Sequence, residues 1–205
     1  MWDLTKRCAR TWLMPVCGAQ AELLDRSPPT CVLPRLGACS LPQRGRCGLP
    51  CLPQRHRRCV LLIAGDGSLQ PSLWALAHKL GIERAVRFLG FRRDVSDLLA
   101  IVDVLVIPSY FEAFPVVAIE GMASGTPVVA SRAGGLVESI VDGVTGRLVA
   151  VGDSADLAAA ILEVLADPDR AAAMGLAGKE RVQRCFSGQV MLAKHEQLYK
   201  RLLSG

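Results

Sequence analysis

Glu112 and Glu120 are the residues of this sequence best suited to chemistry. They bracket seven residues, six apolar and one a proline, in the stretch SYFEAFPVVAIEGMASGTPVVAS from Ser109 to Ser131. An ionised carboxylate accepts hydrogen bonds and donates none. It can take both hydroxyls of a vicinal diol, in charge-assisted bonds worth about 1.5–3 kcal/mol each. Two such groups held at different heights suit a ligand that is a string of hydroxyls. Pro115 sets the start of a helix, which leaves Glu112 in the preceding loop and Glu120 about two turns inside, ~8 Å along the axis. Val116, Ile119, Met122 and Ala123 are the stripe expected to face the core, with Glu120 at its edge, ~100° round from Ile119. The first-turn N–H groups from Phe114 to Val117 suit phosphate oxygens. With eight glutamates in the chain, spacing alone is weak, and a solvated helix edge is the plain alternative.

The elements that must position these groups follow from periodicity. CVLLIAG is a short continuous apolar run, a strand buried on both faces. Pro71 opens a helix in PSLWALAHKLG, whose Leu73, Leu76, Ala77 and Leu80 fall at helical spacing and whose Gly81 closes it. AVRFLGF is a second strand, DVSDLLAI a short helix with Asp94 as its cap, and DVLVIPS a third strand. PVVAIEGMAS (helix), PVVAS (strand), LVESIVD (helix) and TGRLVA (strand) follow. Helices SADLAAAILEVLADP and DRAAAMGLAGKERVQRCF come next, then a last helix near Gly188 to Leu203, with Val190, Met191, Lys194, Leu198 and Leu202 as its stripe. Strand and helix in alternation mean an α/β fold with a doubly wound parallel sheet, Rossmann-like. Such sheets bind ligands outside the carboxyl ends of their strands, where the loops GDGS, GFRRD, SYFEAF and SRAGG lie.

Around the two glutamates, PSYFEAFPVVAIEGMASGTPVVASRAGGLVESIVDGVTGRLV closely resembles the donor-binding signature of the retaining nucleotide-sugar glycosyltransferases, the group 1 family (family four) with the GT-B fold. The likeness runs from LLIAGDG through VRFLGF to RCFS. It implies that residues 59–205 are the C-terminal, donor-binding half of that fold. Glu112 matches the carboxylate facing the donor sugar, the expected catalytic residue, and Glu120 the one holding the ribose hydroxyls. Ala113, Phe114 and Pro115 match the loop along the sugar and distal phosphate. Gly90, Phe91 and Arg92 match the loop by the base, with Gly65 at the same ligand edge. Gly134 and Gly135 match a glycine turn near the donor, a plain tight turn being the alternative. Ala113 stands where the family usually has Gly or Pro, and Gly121 where it usually has Ala.

The resemblance further implies transfer with retention by front-face attack, the donor phosphate helping to deprotonate the acceptor. No metal or resident cofactor takes part, and the nucleotide sugar is the donor substrate. The acceptor, saccharide or lipid-linked, is not specified. Two family features are absent from the sequence. One is the acceptor-binding N-terminal domain, through which the family can touch a membrane peripherally. The other is the Arg and Lys diphosphate clamp of the pattern GRL…KG: Arg35 and Arg44 are present, but no strand is expected before them. The chain alone is therefore expected not to transfer sugar. The competing reading is a truncated or frameshifted remnant that binds nucleotide weakly or not at all.

Composition sets residues 1–58 apart. Residues 1–59 hold ten Lys and Arg against three acids, seven of the eight cysteines and seven of the twelve prolines. An octad repeat places Cys31, Cys39 and Cys47 in register, each followed by x-Leu-Pro. Prolines at that period oppose sheet and long helix, so 1–58 is expected to be disordered. Cys47, Cys51, His56 and Cys59 fit no ordinary zinc spacing, and RHRR alone is a weak nucleic-acid arm. GDGSLQ lacks the third glycine of a dinucleotide loop. His78 and His195 read as surface residues. No run is long enough to span a membrane, since LLAIVDVLVIP is about half the ~20 residues needed. The expectation is a soluble, cytoplasmic protein that binds no nucleic acid.

Overall fold

The structure, a computed structural model, describes residues 30–34 and 59–204. The chain divides into two compact units, Met1–Val106 and Ile107–Gly205.

The first unit contains β1 (Thr30–Pro34), β2 (Leu61–Ala64), α1 (Gln70–Lys79), β3 (Val86–Gly90), α2 (Val95–Ala100) and β4 (Val102–Ile107), whose last residue begins the second unit. Its strands stand in the order β3-β2-β1-β4. β2 and β3 are parallel, with Leu61 opposite Val86 and Ile63 opposite Phe88. Val104, Leu105 and Val106 of β4 are wholly buried, as a strand covered on both faces requires. Pro71 lies in the first turn of α1, and Gly81 follows its end at φ +67°.

β1, from within residues 1–58, adds an antiparallel strand beside the parallel pair β2–β3. It lies between β2 and β4 and runs antiparallel to both, Cys31 opposite Ile63 on one side and Val106 on the other. Four residues between Pro29 and Pro34 suffice, because Pro34 comes last, at a break in the register with β4. A strand so short has no period to read, and it coincides with one unit of the octad. Arg35 therefore does follow a strand. The rest of the octad, Arg44, the zinc reading at Cys47, Cys51 and His56, and the basic cluster lie outside the described residues.

The second unit contains α3 (Val116–Ser124), β5 (Val128–Ser131), α4 (Gly135–Ser139), β6 (Gly146–Val149), α5 (Ser154–Ala166), α6 (Pro168–Cys185) and α7 (Gly188–Leu203). β5 and β6 are parallel. The Asp153 carboxylate caps α5, accepting from the N–H groups of Ala155 and Asp156, and Asp167 caps α6, accepting from Arg170. No residue of α7 is buried, and Met191, Leu198 and Leu202 of its stripe are exposed. No described helix is long and apolar enough to cross a membrane.

α3 is turned differently from expectation. Its buried face is Pro115, Ala118, Gly121 and Met122, while Val116 and Ala123 are exposed. The reason is close packing against α6. A Cβ on Gly178 of α6 would lie 3.1 Å from Met122 Cγ, and one on Gly175 would lie 2.0 Å from the Gly125 carbonyl oxygen. Ala118, Gly121 and Met122 therefore mark its contact face, and Val116 does not. Glu120 is exposed, and at ~100° per residue it points away from Ala118 and Met122 rather than lying at the edge of the buried stripe.

Candidate functional site

The loop after β4 carries the candidate site. Ser109 begins it, 2% exposed, its Oγ without a hydrogen-bond partner among the described residues. Tyr110, Phe111 and Phe114 follow with most of their surface in solvent, and Glu112 between them is half-buried. Neither the Glu112 nor the Glu120 carboxylate has a hydrogen-bond or ion-pair partner among the described residues. An acceptor held in a half-buried loop, with nothing among the described residues to accept from, is free to receive a ligand's hydroxyls.

Backbone contacts hold the loop in place. The Gly135 N–H donates to the Glu112 carbonyl at 2.8 Å. Gly134 has φ +44° and ψ −129°, a conformation that side chains disfavour. A Cβ there would stand 2.1 Å from the Glu112 oxygen, and one on Gly135 would stand 2.5 Å from the Ala113 oxygen and 3.0 Å from Pro115 Cδ. The glycine pair is thus the surface on which Glu112, Ala113 and Pro115 rest, a reason for two glycines that needs no ligand. In the first turn of α3 the Val116 N–H donates to Phe114 O, and Ala118 and Ile119 donate to Pro115 O. The anion-facing donors expected from Phe114 to Val117 are therefore reduced by one.

α4, which starts at this clasp, is held at its other end by α6. Arg181 Nε donates to Ser139 O at 2.8 Å and Nη2 to Glu138 O at 2.7 Å. Its guanidinium also lies 5.6 Å from the centre of the Phe186 ring. Beyond α4, Asp142 accepts from Arg132 Nη2 and Arg147 Nη1, each at 2.9 Å, and from the Leu148 N–H at 3.0 Å. Burial pushes the Asp142 carboxyl up, but these donors and the charges of Arg147 and Arg132 outweigh it and hold it below the ordinary value.

Gly65, Gly90, Phe91 and Arg92 belong to the first unit. Gly65 N–H donates to Gly90 O at 2.9 Å, and Gly90 has φ +62°. Phe91 is 70% exposed. Arg92 is bound to Asp94, its Nε donating to Oδ1 at 2.8 Å. That hydrogen bond holds the Asp94 carboxyl below its ordinary value, and the Asp94 side chain makes no cap to α2. The expected cap is thus replaced by an ion pair, because a guanidinium two residues away outcompetes an N–H dipole. His78 is exposed and stacks on Trp74, and His195 is exposed with Nδ1 2.8 Å from Met191 O.

Sequence reasoning missed Arg181 and Asp142. Arg181 stands outside the quoted signature and Asp142 inside it without an expected role, and their partners are backbone groups or side chains that only the fold brings near. The Gly175-x-x-Gly178 spacing, two glycines inside a helix, was the available signal that α6 packs unusually close to a neighbour.

The family profile described as Glycosyl transferases group 1 matches residues 49–181. Glycogen synthase of Mycobacterium tuberculosis is 40% identical over 153 residues, 73% of this chain and 37% of the relative. D-inositol 3-phosphate glycosyltransferase of Corynebacterium aurimucosum is 39% identical over 157 residues, 74% of this chain and 37% of the relative. Among solved structures, HepE of Anabaena in complex with UDP-glucose is 30% identical with a TM-score of 0.65, over 73% of this chain and 42% of that one. Sucrose-phosphate synthase from Thermosynechococcus elongatus is 35% identical with a TM-score of 0.64, over 70% of this chain and 38% of that one. The chain spans 37–42% of the length of these relatives.

Proposed function

The chain belongs to the group 1 glycosyl transferases, and from that premise we propose that its second unit binds the donor of a sugar transfer, a nucleoside diphosphate sugar. Glu112 takes the sugar hydroxyls and Glu120 the ribose diol. The Ala113–Pro115 backbone lies along the sugar and distal phosphate. Transfer proceeds with retention, and a saccharide or lipid-linked hydroxyl is the acceptor. The observation that supports this reading best is the pair of carboxylates without partners among the described residues, one of them in a loop whose backbone is clasped by Gly134 and Gly135. A clasped loop loses little further freedom on binding, so less of each hydrogen bond is spent on ordering. HepE, 30% identical, holds UDP-glucose, which makes uridine diphosphate sugars the first donors to try.

Calorimetric titration of the chain with UDP-glucose and with UDP tests this. Glu120→Gln is expected to weaken both by about 1–3 kcal/mol, since the ribose is common to both. Glu112→Gln is expected to weaken UDP-glucose while leaving UDP unchanged. Equal affinities for wild type and both variants overturn the assignment of the two glutamates. If neither uridine ligand binds, guanosine and adenosine diphosphate sugars are tried in turn. No binding of any at millimolar concentration overturns donor binding by this chain.

A further inference from the structure

Gly175, Gly178 and Arg181 follow one another at three-residue spacing, so they occupy one side of α6. The first two seat the C-terminal half of α3: Gly175 meets the Gly125 carbonyl and Gly178 meets Met122. The third reaches the two carbonyls, Glu138 O and Ser139 O, at the end of α4. α3 carries Glu120. α4 begins at the glycine pair that clasps the backbone of Glu112. One helix therefore holds both glutamate-bearing elements, α3 by direct packing and the Glu112 loop through α4.

We propose that Arg181 is a positioning residue of the candidate site, acting on Glu112 through α4. The five residues of α4 are too few to hold themselves rigid. Their terminal carbonyls need donors from outside the helix, and the guanidinium fork supplies two at once. With the far end of α4 fixed, Gly134 and Gly135 are fixed too, and with them the Glu112 carbonyl, which sits where no Cβ would fit. Without the fork, α4 frays from its end, the Gly135-to-Glu112 hydrogen bond opens more often, and the Glu112 carboxylate spends less time in its binding position. Glu120, held by Gly175 and Gly178, is not affected. The inference rests on the roles given above to the two glutamates, but its structural half can be measured without any ligand.

The variants are Arg181→Met, which keeps the apolar stem but has no donors, and Arg181→Lys, which keeps charge and can serve one carbonyl. In the ligand-free full chain, the Gly135 amide is expected to exchange about tenfold faster in Arg181→Met and to recover partly in Arg181→Lys, with the Ala118 and Ile119 amides unchanged. Unchanged Gly135 exchange, or equal acceleration across α3 and α4, overturns the proposal. In titrations, Arg181→Met is expected to keep its affinity for UDP within about twofold and to lose about tenfold in affinity for UDP-glucose. An equal loss for both ligands marks a merely structural residue and overturns it as well. If wild type binds neither ligand, the donor reading is what fails, and Gly135 exchange alone decides the coupling.

Discussion

Asp142 lies about a third exposed, yet its carboxylate joins β6 to the segment before it through Leu148, Arg132 and Arg147. Because its folded-state pKa is depressed, the unfolded chain binds the proton more readily. Its contribution to stability is therefore complete above the unfolded value of about 4 and is lost as pH falls through the folded one. Asp142→Asn is expected to lower the melting temperature at pH 7, and the gap from wild type should close as pH drops from about 4 towards 3. Melting curves across pH 3–7 check this, and a constant gap would mean that charge is not the cause. At this scale the sequence was informative where a residue type has few uses. Two glutamates beside apolar runs stood out, whereas Arg181 and Asp142 did not, since an arginine or aspartate in a polar stretch is ordinary until its partners are known.

Helices and strands were read almost to the residue where apolar periods are long: β4, α5 and α6 lie where the pattern puts them. The phase of α3 was not legible, because it is apolar on most sides and only its neighbour decides which side is covered. The same contact sets a test in which two effects oppose. Alanine is a better helix former than glycine by about 1 kcal/mol. At Gly175, however, the new Cβ would stand 2.0 Å from the Gly125 oxygen, and overpacking of that kind costs about 1–3 kcal/mol. Gly175→Ala is expected to destabilise by the difference, up to about 2 kcal/mol. Gly188→Ala, where nothing lies within 4 Å, is expected to stabilise by up to about 1 kcal/mol. Urea denaturation of both variants decides it, and a gain at Gly175 would mean that α3 and α6 can part without cost.

Across the whole chain, the alternation of strand and helix announced the α/β class, and the parallel pairs β2–β3 and β5–β6 follow from it. β1 was hidden by its surroundings, a short apolar run among prolines. Its removal is expected to matter. A chain starting at residue 59 leaves the facing edges of β2 and β4 without the strand that pairs with both, and unpaired backbone in a sheet interior is costly. Amides of β2 and β4 are expected to lose exchange protection in that truncation, while those of β5 and β6 in the second unit keep it. Equal protection of Leu62 and Leu105 in the long and short chains would show that β1 is dispensable.

The antiparallel strand also has a consequence for the order of synthesis. Of the described strands β1 leaves the ribosome first, yet its partners lie far downstream, β2 at Leu61–Ala64 and β4 at Val102–Ile107. At about 5–20 residues per second, the roughly 70 residues between β1 and β4 take on the order of 4–14 s to make. For that interval an apolar strand waits with at least one bare edge, a hazard that β5 and β6, separated by one short helix, escape. The nascent first unit is therefore where a chaperone would act and where fast expression would first produce aggregate.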